Sequence, residues 1–130
     1  MENGTSDMMG LSVGVDLVSV KRMEGVLQRW GDRFLNRVFT RNEIAYCMSR
    51  SCPARSLAGR FAAKEAFFKA VASAGVPGLP LKQIEVIVNA YGAPVLRARG
   101  RAVDALAGRK AALSISHDGE YAVALVATTG

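Results

Sequence analysis

One stretch leaves few choices for the rest of the chain: Arg60-Phe61-Ala62-Ala63-Lys64-Glu65-Ala66-Phe67-Phe68-Lys69-Ala70. Ala, Phe, Lys and Glu dominate it and neither Gly nor Pro interrupts it, so it favours helix. The helix is predicted to run from about Ala54 to Ala74 and to stop at Gly75. Phe61, Glu65, Phe68 and Ala72 share one side at helical spacing. Ala62, Ala63, Ala66, Phe67, Ala70 and Val71 fill most of the remaining circumference. A helix apolar nearly all round must be covered on several sides, so the other elements have to wrap it. Glu65 is the exception to explain, because a carboxylate beside two phenylalanines is costly to bury unpaired. It pairs locally with Lys69 at i, i+4, stands at a solvated edge, or helps to hold a metal ion.

Leu11, Val13, Val15 and Leu17 alternate with Ser12, Gly14 and Asp16, the period of a strand. Aspartate is poor in strands, so Asp16 needs a reason. Ser19 can cap a following helix whose stripe is Val20, Met23, Leu27 and Trp30; the stripe, Trp30 included, reads as core. Gly31-Asp32 breaks or bends that helix. Thr40-Arg41-Asn42-Glu43 is a capping box opening a short helix, which Ser51-Cys52-Pro53 ends. Beyond the long helix come strands over Leu81–Val88 and Pro94–Ala98, a short helix over Arg101–Leu106, and a strand over Ala112–His117. Asp118-Gly119 reads as a tight turn into a return strand over Glu120–Thr128. Helices and strands do not alternate regularly. The fold class is α+β, a largely antiparallel sheet wrapped around one long central helix.

The 130 residues, half of them hydrophobic, supply one core and not two. Residues 11–130 read as a single domain, preceded by a polar, disordered extension over residues 1–10. A net charge of +6 asks for an acidic partner: nucleic acid, anionic lipid, an acidic protein or a phosphorylated small molecule. Cys47 and Cys52 make neither a disulfide framework nor a zinc site, and read as thiols of a reducing compartment, the cytoplasm. No apolar run is long enough for a membrane span.

Neither standard phosphate loop, nor H-E-x-x-H, nor G-x-S-x-G is present. His117 lies between Ser116 and Asp118, but adjacent residues rarely face one another as a triad needs. It reads as a satisfied strand-end histidine or as a candidate site residue. Asp16 and Glu65 are isolated acids in apolar surroundings, with Arg60, Lys64, Lys69 and His117 as nearby cations. If the first strand lies on the long helix, two carboxylates could hold Mg²⁺ while the cations bind phosphates. A second feature is the basic set Lys21, Arg22, Arg29, Arg33, Arg37 and Arg41, which on continuous helix would form one stripe, with Gly31 standing in its way. Only Glu24 and Asp32 are acidic between Lys21 and Arg41, so a docking face for an acidic helix or for nucleic acid competes with a solvated surface. Trp30, Phe34 and Phe39 read as core, so the aromatic interleaving of a single-strand binder is missing. A non-catalytic basic module that binds nucleic acid is the alternative from another class.

The segment Gly14-Val15-Asp16-Leu17-Val18-Ser19-Val20-Lys21-Arg22-Met23 resembles the opening motif of the holo-[acyl-carrier-protein] synthases, the small bacterial 4'-phosphopantetheinyl transferases. The stretch Arg60–Ala70 resembles their second motif. Phe39–Glu43, Tyr91–Pro94 and Leu113–His117 fall where three shorter motifs are expected, so the likeness covers Leu11 to Thr128. The resemblance implies transfer of 4'-phosphopantetheine from coenzyme A to a serine of apo acyl carrier protein, with adenosine 3',5'-bisphosphate released. Asp16 and Glu65 match the Mg²⁺ ligands, and Lys69 joins them as a catalytic residue. Arg60, Lys64, Lys69, Gly92, Pro94 and His117 match coenzyme A contacts. Lys21, Arg22, Arg29 and Arg33 would face the acidic carrier. A homotrimer with sites at subunit boundaries is implied, with neither nucleic acid nor membrane as partner. Ala93 stands where many relatives carry lysine, and Asp118 where a small hydroxyl residue is common. Val18 stands where the larger two-lobed transferases usually place a second acid, which favours the small class.

Overall fold

The computed structural model describes residues 10–130, so the expected N-terminal extension lies, but for Gly10, outside the described residues. Strand β1 (Ser12–Ser19) leads into α1 (Val20–Trp30), α2 (Asp32–Val38), α3 (Arg41–Met48) and α4 (Pro53–Ala70). Then follow β2 (Ile84–Val88), β3 (Pro94–Ala98), α5 (Arg101–Leu106), β4 (Lys110–Asp118) and β5 (Tyr121–Thr129). The class is α+β with antiparallel pairing throughout, but the strands form two sheets, β1-β5-β4 and β2-β3.

Local chemistry sets the boundaries. The Ser19 hydroxyl accepts the Arg22 N–H at 3.1 Å and starts α1. Gly31, at φ 50°, ends α1 and turns the chain into α2. The basic residues are therefore split, with Arg22 and Arg29 on α1, Arg33 and Arg37 on α2, and Arg41 opening α3. Thr40 and Glu43 close the expected capping box at α3. Pro53 stands in the first turn of α4, where its missing N–H costs nothing. α4 ends at Ala70, earlier than expected, and the chain tightens into a 3-10 turn over Ala72–Ala74 before Gly75. Asp118 still pairs with Tyr121, so Gly119-Glu120 form the hairpin loop rather than Asp118-Gly119, and Gly119 supplies the positive φ.

α4 joins two halves of the core. Ala62, Ala63, Ala66, Phe67 and Ala70 meet Ile84, Val86, Ala102, Ala124 and Val126. Leu57 and Ala58, a turn or two earlier, meet Val20, Met23, Leu35, Val38 and Phe39. β1 crosses α4 at backbone distance: a Cβ built on Gly14 would lie 2.0 Å from the Ala66 carbonyl and 2.6 Å from the Ala70 nitrogen.

Two sequence expectations fail. Trp30 is not core; it is 51% exposed, because α1 has left the helix it packs on by the time it reaches Gly31. Its ring instead lies under the Arg33 guanidinium, 6.0 Å away. Lys64, grouped by sequence with the cations that could bind phosphates, is fully buried. Its ammonium donates to Glu43 at 2.8 Å and to the Leu81 and Ile84 carbonyls. The other Glu43 oxygen accepts the Val86 N–H, so α3, α4 and β2 meet on one charge pair.

Gly14→Ala is expected to destabilise the chain by about 3 kcal/mol or more, because backbone and not a flexible side chain stands in the way. A urea midpoint close to that of the unaltered chain would show that β1 can lift from α4 at little cost.

Candidate active site

The crossing at Gly14 decides where Asp16 goes. Alternate residues of a strand face the same side, so Asp16, two residues on, also faces α4. The Lys69 ammonium donates to Asp16 Oδ1 at 3.1 Å and to the Val15 carbonyl at 3.0 Å. Lys69 is thus bonded to the strand acid and not to Glu65, the local partner that spacing alone suggested. Asp16 and Glu65 line one pocket of about 330 Å³, with Arg22, Met23, Phe34 and Phe61 around them. Partial burial and the neighbouring Asp16 charge push the Glu65 carboxyl above the ordinary carboxylate range, against the pull of Lys69. Two adjacent hard oxygen donors at an open pocket suit Mg²⁺, which keeps several waters and takes the rest of its shell from substrate phosphate. Among the described residues, no third His, Cys, Asp or Glu joins them.

A second, polar concavity lies elsewhere on the chain. Arg50, Arg55, Arg60 and His117 line it, with Tyr46 as one wall. Gly92 and Pro94 join Tyr46, Arg60 and His117 in an adjoining depression. The Arg60 guanidinium stacks 4.4 Å from the Tyr46 ring and donates to Ser56 Oγ at 3.2 Å. Among the described residues its buried Nε has no partner, although Arg60 is only 7% exposed. His117 Nε2 lies 3.1 Å from the Arg55 carbonyl, and its ring rests on Gly59, where a Cβ would come within 3.0 Å. A cationic hollow holding an orphaned N–H has the charge and the free donor that suit an anion.

The structure therefore brings Asp16, Glu65 and Arg22 together in one pocket, with Lys69 bonded to Asp16 beside them. It brings Arg60, Gly92, Pro94 and His117 together in the other. Lys21 and Arg29 are exposed on α1, and Arg33 lies beside Trp30. Lys64 belongs to neither site, and its reading as a coenzyme A contact is corrected: all its donors point into the core. Sequence reasoning missed Tyr46, Arg50 and Arg55. A signal existed, since Ile44 to Lys64 carries Arg50, Arg55, Arg60 and Lys64 without one acid. The two pockets share no residue. On α4, Arg60 and Glu65 are five positions apart, which sets them roughly 140° apart around the axis.

Residues 12–126 match the family model of the 4'-phosphopantetheinyl transferase superfamily. The chain is 47% identical to a holo-[acyl-carrier-protein] synthase of Gloeobacter violaceus, covering 91% of this chain and 92% of that one. A holo-[acyl-carrier-protein] synthase of Protochlamydia amoebophila is 40% identical over 89% of this chain and 95% of its own length. The crystal structure of the Helicobacter pylori holo-[acyl-carrier-protein] synthase in complex with coenzyme A is similar at a TM-score of 0.78 and 31% identity, covering 90% of this chain and 99% of that one.

A raised carboxyl pKa means that the folded chain holds the Glu65 proton more tightly than the unfolded chain does. Stability is then lost as pH rises from the unfolded value, about 4.3, through the folded one. Without added divalent cation, Glu65→Gln is expected to unfold at higher urea than the native chain at pH 7. The gap should close below about pH 4. Equal midpoints at pH 7 would mean that Glu65 carries no such strain.

Proposed function

The chain belongs to the holo-[acyl-carrier-protein] synthases of the 4'-phosphopantetheinyl transferase superfamily, and we propose that it moves 4'-phosphopantetheine from coenzyme A to a serine of apo acyl carrier protein, with Mg²⁺ held at Asp16 and Glu65. The observation that carries this reading is the single pocket shared by a strand carboxylate and a helix carboxylate with Arg22 at its edge. When bound, Mg²⁺ would offset the charge of the donor's diphosphate. Lys69, anchored on Asp16, stands ready to meet a phosphate oxygen. The orphaned Arg60 Nε and His117, with Arg50 and Arg55, suit the phosphate at the nucleotide end. The acceptor serine oxygen bonds to the phosphorus that carries pantetheine. The bond from that phosphorus to the bridging oxygen breaks, and adenosine 3',5'-bisphosphate leaves with that oxygen. The serine proton passes through water to a carboxylate of the pair.

This reading includes a homotrimer. Val13, Val15, Leu17, Tyr121 and Leu125 are exposed on the outer face of β1 and β5, with Val15 opposite Leu125. A contiguous apolar sheet face of this kind marks an interaction surface. With the two pockets on different sides of α4, the nucleotide end of one donor is best met by a neighbouring copy's cationic hollow. Residues 11–130 act as one domain. Cys47 and Cys52 are free thiols, which suits the cytoplasm.

Incubation with coenzyme A, Mg²⁺ and apo acyl carrier protein should raise the carrier's intact mass by one phosphopantetheine. No mass change with fatty-acid or polyketide carriers would defeat the reading. Asp16→Ala and Glu65→Ala should each lower kcat about 10²-fold or more while circular dichroism is unchanged. Full activity of the double variant would remove the metal assignment. Leu17→Glu should shift the sedimentation coefficient towards that of a single chain; a wild-type value would place the interface elsewhere.

A further inference from the structure

Cys52 is an exposed thiol at the entry to α4, where it is the N-cap residue and its side chain makes no capping bond. It lines the cationic hollow together with Arg50, Arg55, Arg60 and His117. Among the described residues, no carboxylate lines that hollow. Arg60 is more than nine-tenths buried, and its Nε is the donor left without a partner there. Cys47, five positions earlier, is set quite differently. It is buried, its sulfur accepts the Ser56 hydroxyl at 3.2 Å, and burial pushes its thiol above the ordinary range. One cysteine is thus enclosed in the core, and the other faces water among cations. A concavity of one charge sign raises the local concentration of anions, so the Cys52 sulfur meets anionic reagents before others.

We propose that Cys52 is a thiol-exchange site for an anionic low-mass disulfide, whose carboxylates dock on the arginines of the hollow while its S–S bond meets the Cys52 sulfur. The Cys52 thiolate attacks one sulfur of the disulfide. A new S–S bond forms to Cys52, the old one breaks, and the departing half leaves as a thiolate that takes a proton from water. The incoming disulfide supplies the oxidised sulfur, so the step needs no other oxidant. Arginine suits the docking, because its planar guanidinium meets a carboxylate with two parallel N–H bonds. The half that stays occupies a hollow of about 260 Å³. It therefore excludes the nucleotide end of the donor; that consequence, unlike the exchange itself, rests on the transfer reaction proposed above. The link is reversible, which agrees with a thiol that stays free under reducing conditions.

Oxidised glutathione is the probe, and cystamine, a disulfide of opposite charge, is the control. Oxidised glutathione should raise the intact mass of the full chain by one glutathione, and dithiothreitol should restore it. Peptide mapping should place the adduct on Cys52, and Cys52→Ser should form none. The two exchange rates, each divided by that probe's rate with the neutral thiol mercaptoethanol, should differ about ten-fold in favour of glutathione at low salt. Salt at about 1 M should bring them together. Arg50→Gln combined with Arg55→Gln should remove most of the preference while circular dichroism is unchanged. No adduct, an adduct on Cys47, or equal normalised rates at low salt would each overturn the proposal. Adenosine 3',5'-bisphosphate should slow the exchange, and the adduct should raise the KM for coenzyme A about ten-fold or more. An adduct on Cys52 that leaves this KM unchanged would overturn the exclusion of the donor. Failure of the unmodified chain to act on any carrier would overturn the transfer reaction and leave the exchange at Cys52 standing.

Discussion

The contact between Gly14 and the backbone of α4 governs the geometry of everything around it. With no side chain between them, β1 lies directly on Ala66 and Ala70. That approach carries Asp16 to the turn of α4 that bears Glu65 and Lys69. Two acids almost fifty positions apart in sequence thereby share one pocket. A larger residue at position 14 would separate them by the thickness of a side chain, and the divalent-ion geometry proposed for them would be lost with it.

A second contact sets the rotation of α4. Lys64 directs its charge inwards to Glu43 and two carbonyls, and its chain neighbour Glu65 is left facing outwards. Burial pushes the Lys64 ammonium below its ordinary pKa, and Glu43 pulls it back. Glu43 also closes the α3 capping box and takes the Val86 N–H, so one carboxylate fixes a helix start, a helix face and a strand edge. Nearby, Glu85 is buried between Thr40, Arg97 and Arg99, which ties the second sheet to the same place. Removing one partner from such a cluster strands the others, which is why buried pairs are costly to break.

What could be read from the sequence followed from patterns with short reach. The alternation of β1, the Ser19 and Thr40 caps and the all-round apolar character of α4 each depend on neighbours in the chain, and each gave the right element. Asp16 stood out as an acid in a strand, and Glu65 as a carboxylate beside two phenylalanines on a helix apolar nearly all round. Lys64 was misread because its partners Glu43, Leu81 and Ile84 are distant in sequence, and helical spacing cannot tell a charge facing water from one facing a buried carboxylate. Trp30 was misread because it continues the apolar stripe of α1 beyond the point where that helix still touches the core. The cationic hollow was half legible: its arginines form an acid-free run, but Tyr46 and His117 join only once α3, α4 and β4 are assembled.

The packing of α4 also sorts positions by their freedom to vary. Ala58, Ala62, Ala63 and Ala66 are wholly enclosed, and even one added carbon there would meet a neighbour. The ridge formed by α1 and α2 has many positions open to water. Mutation can therefore accumulate on that ridge without touching Asp16, Glu65 or the contacts that aim them. The surface proposed for recognition and the pocket proposed for chemistry thus occupy separately mutable parts of the fold, so descendants of this chain could change the protein they serve while the reaction proposed for them stays fixed.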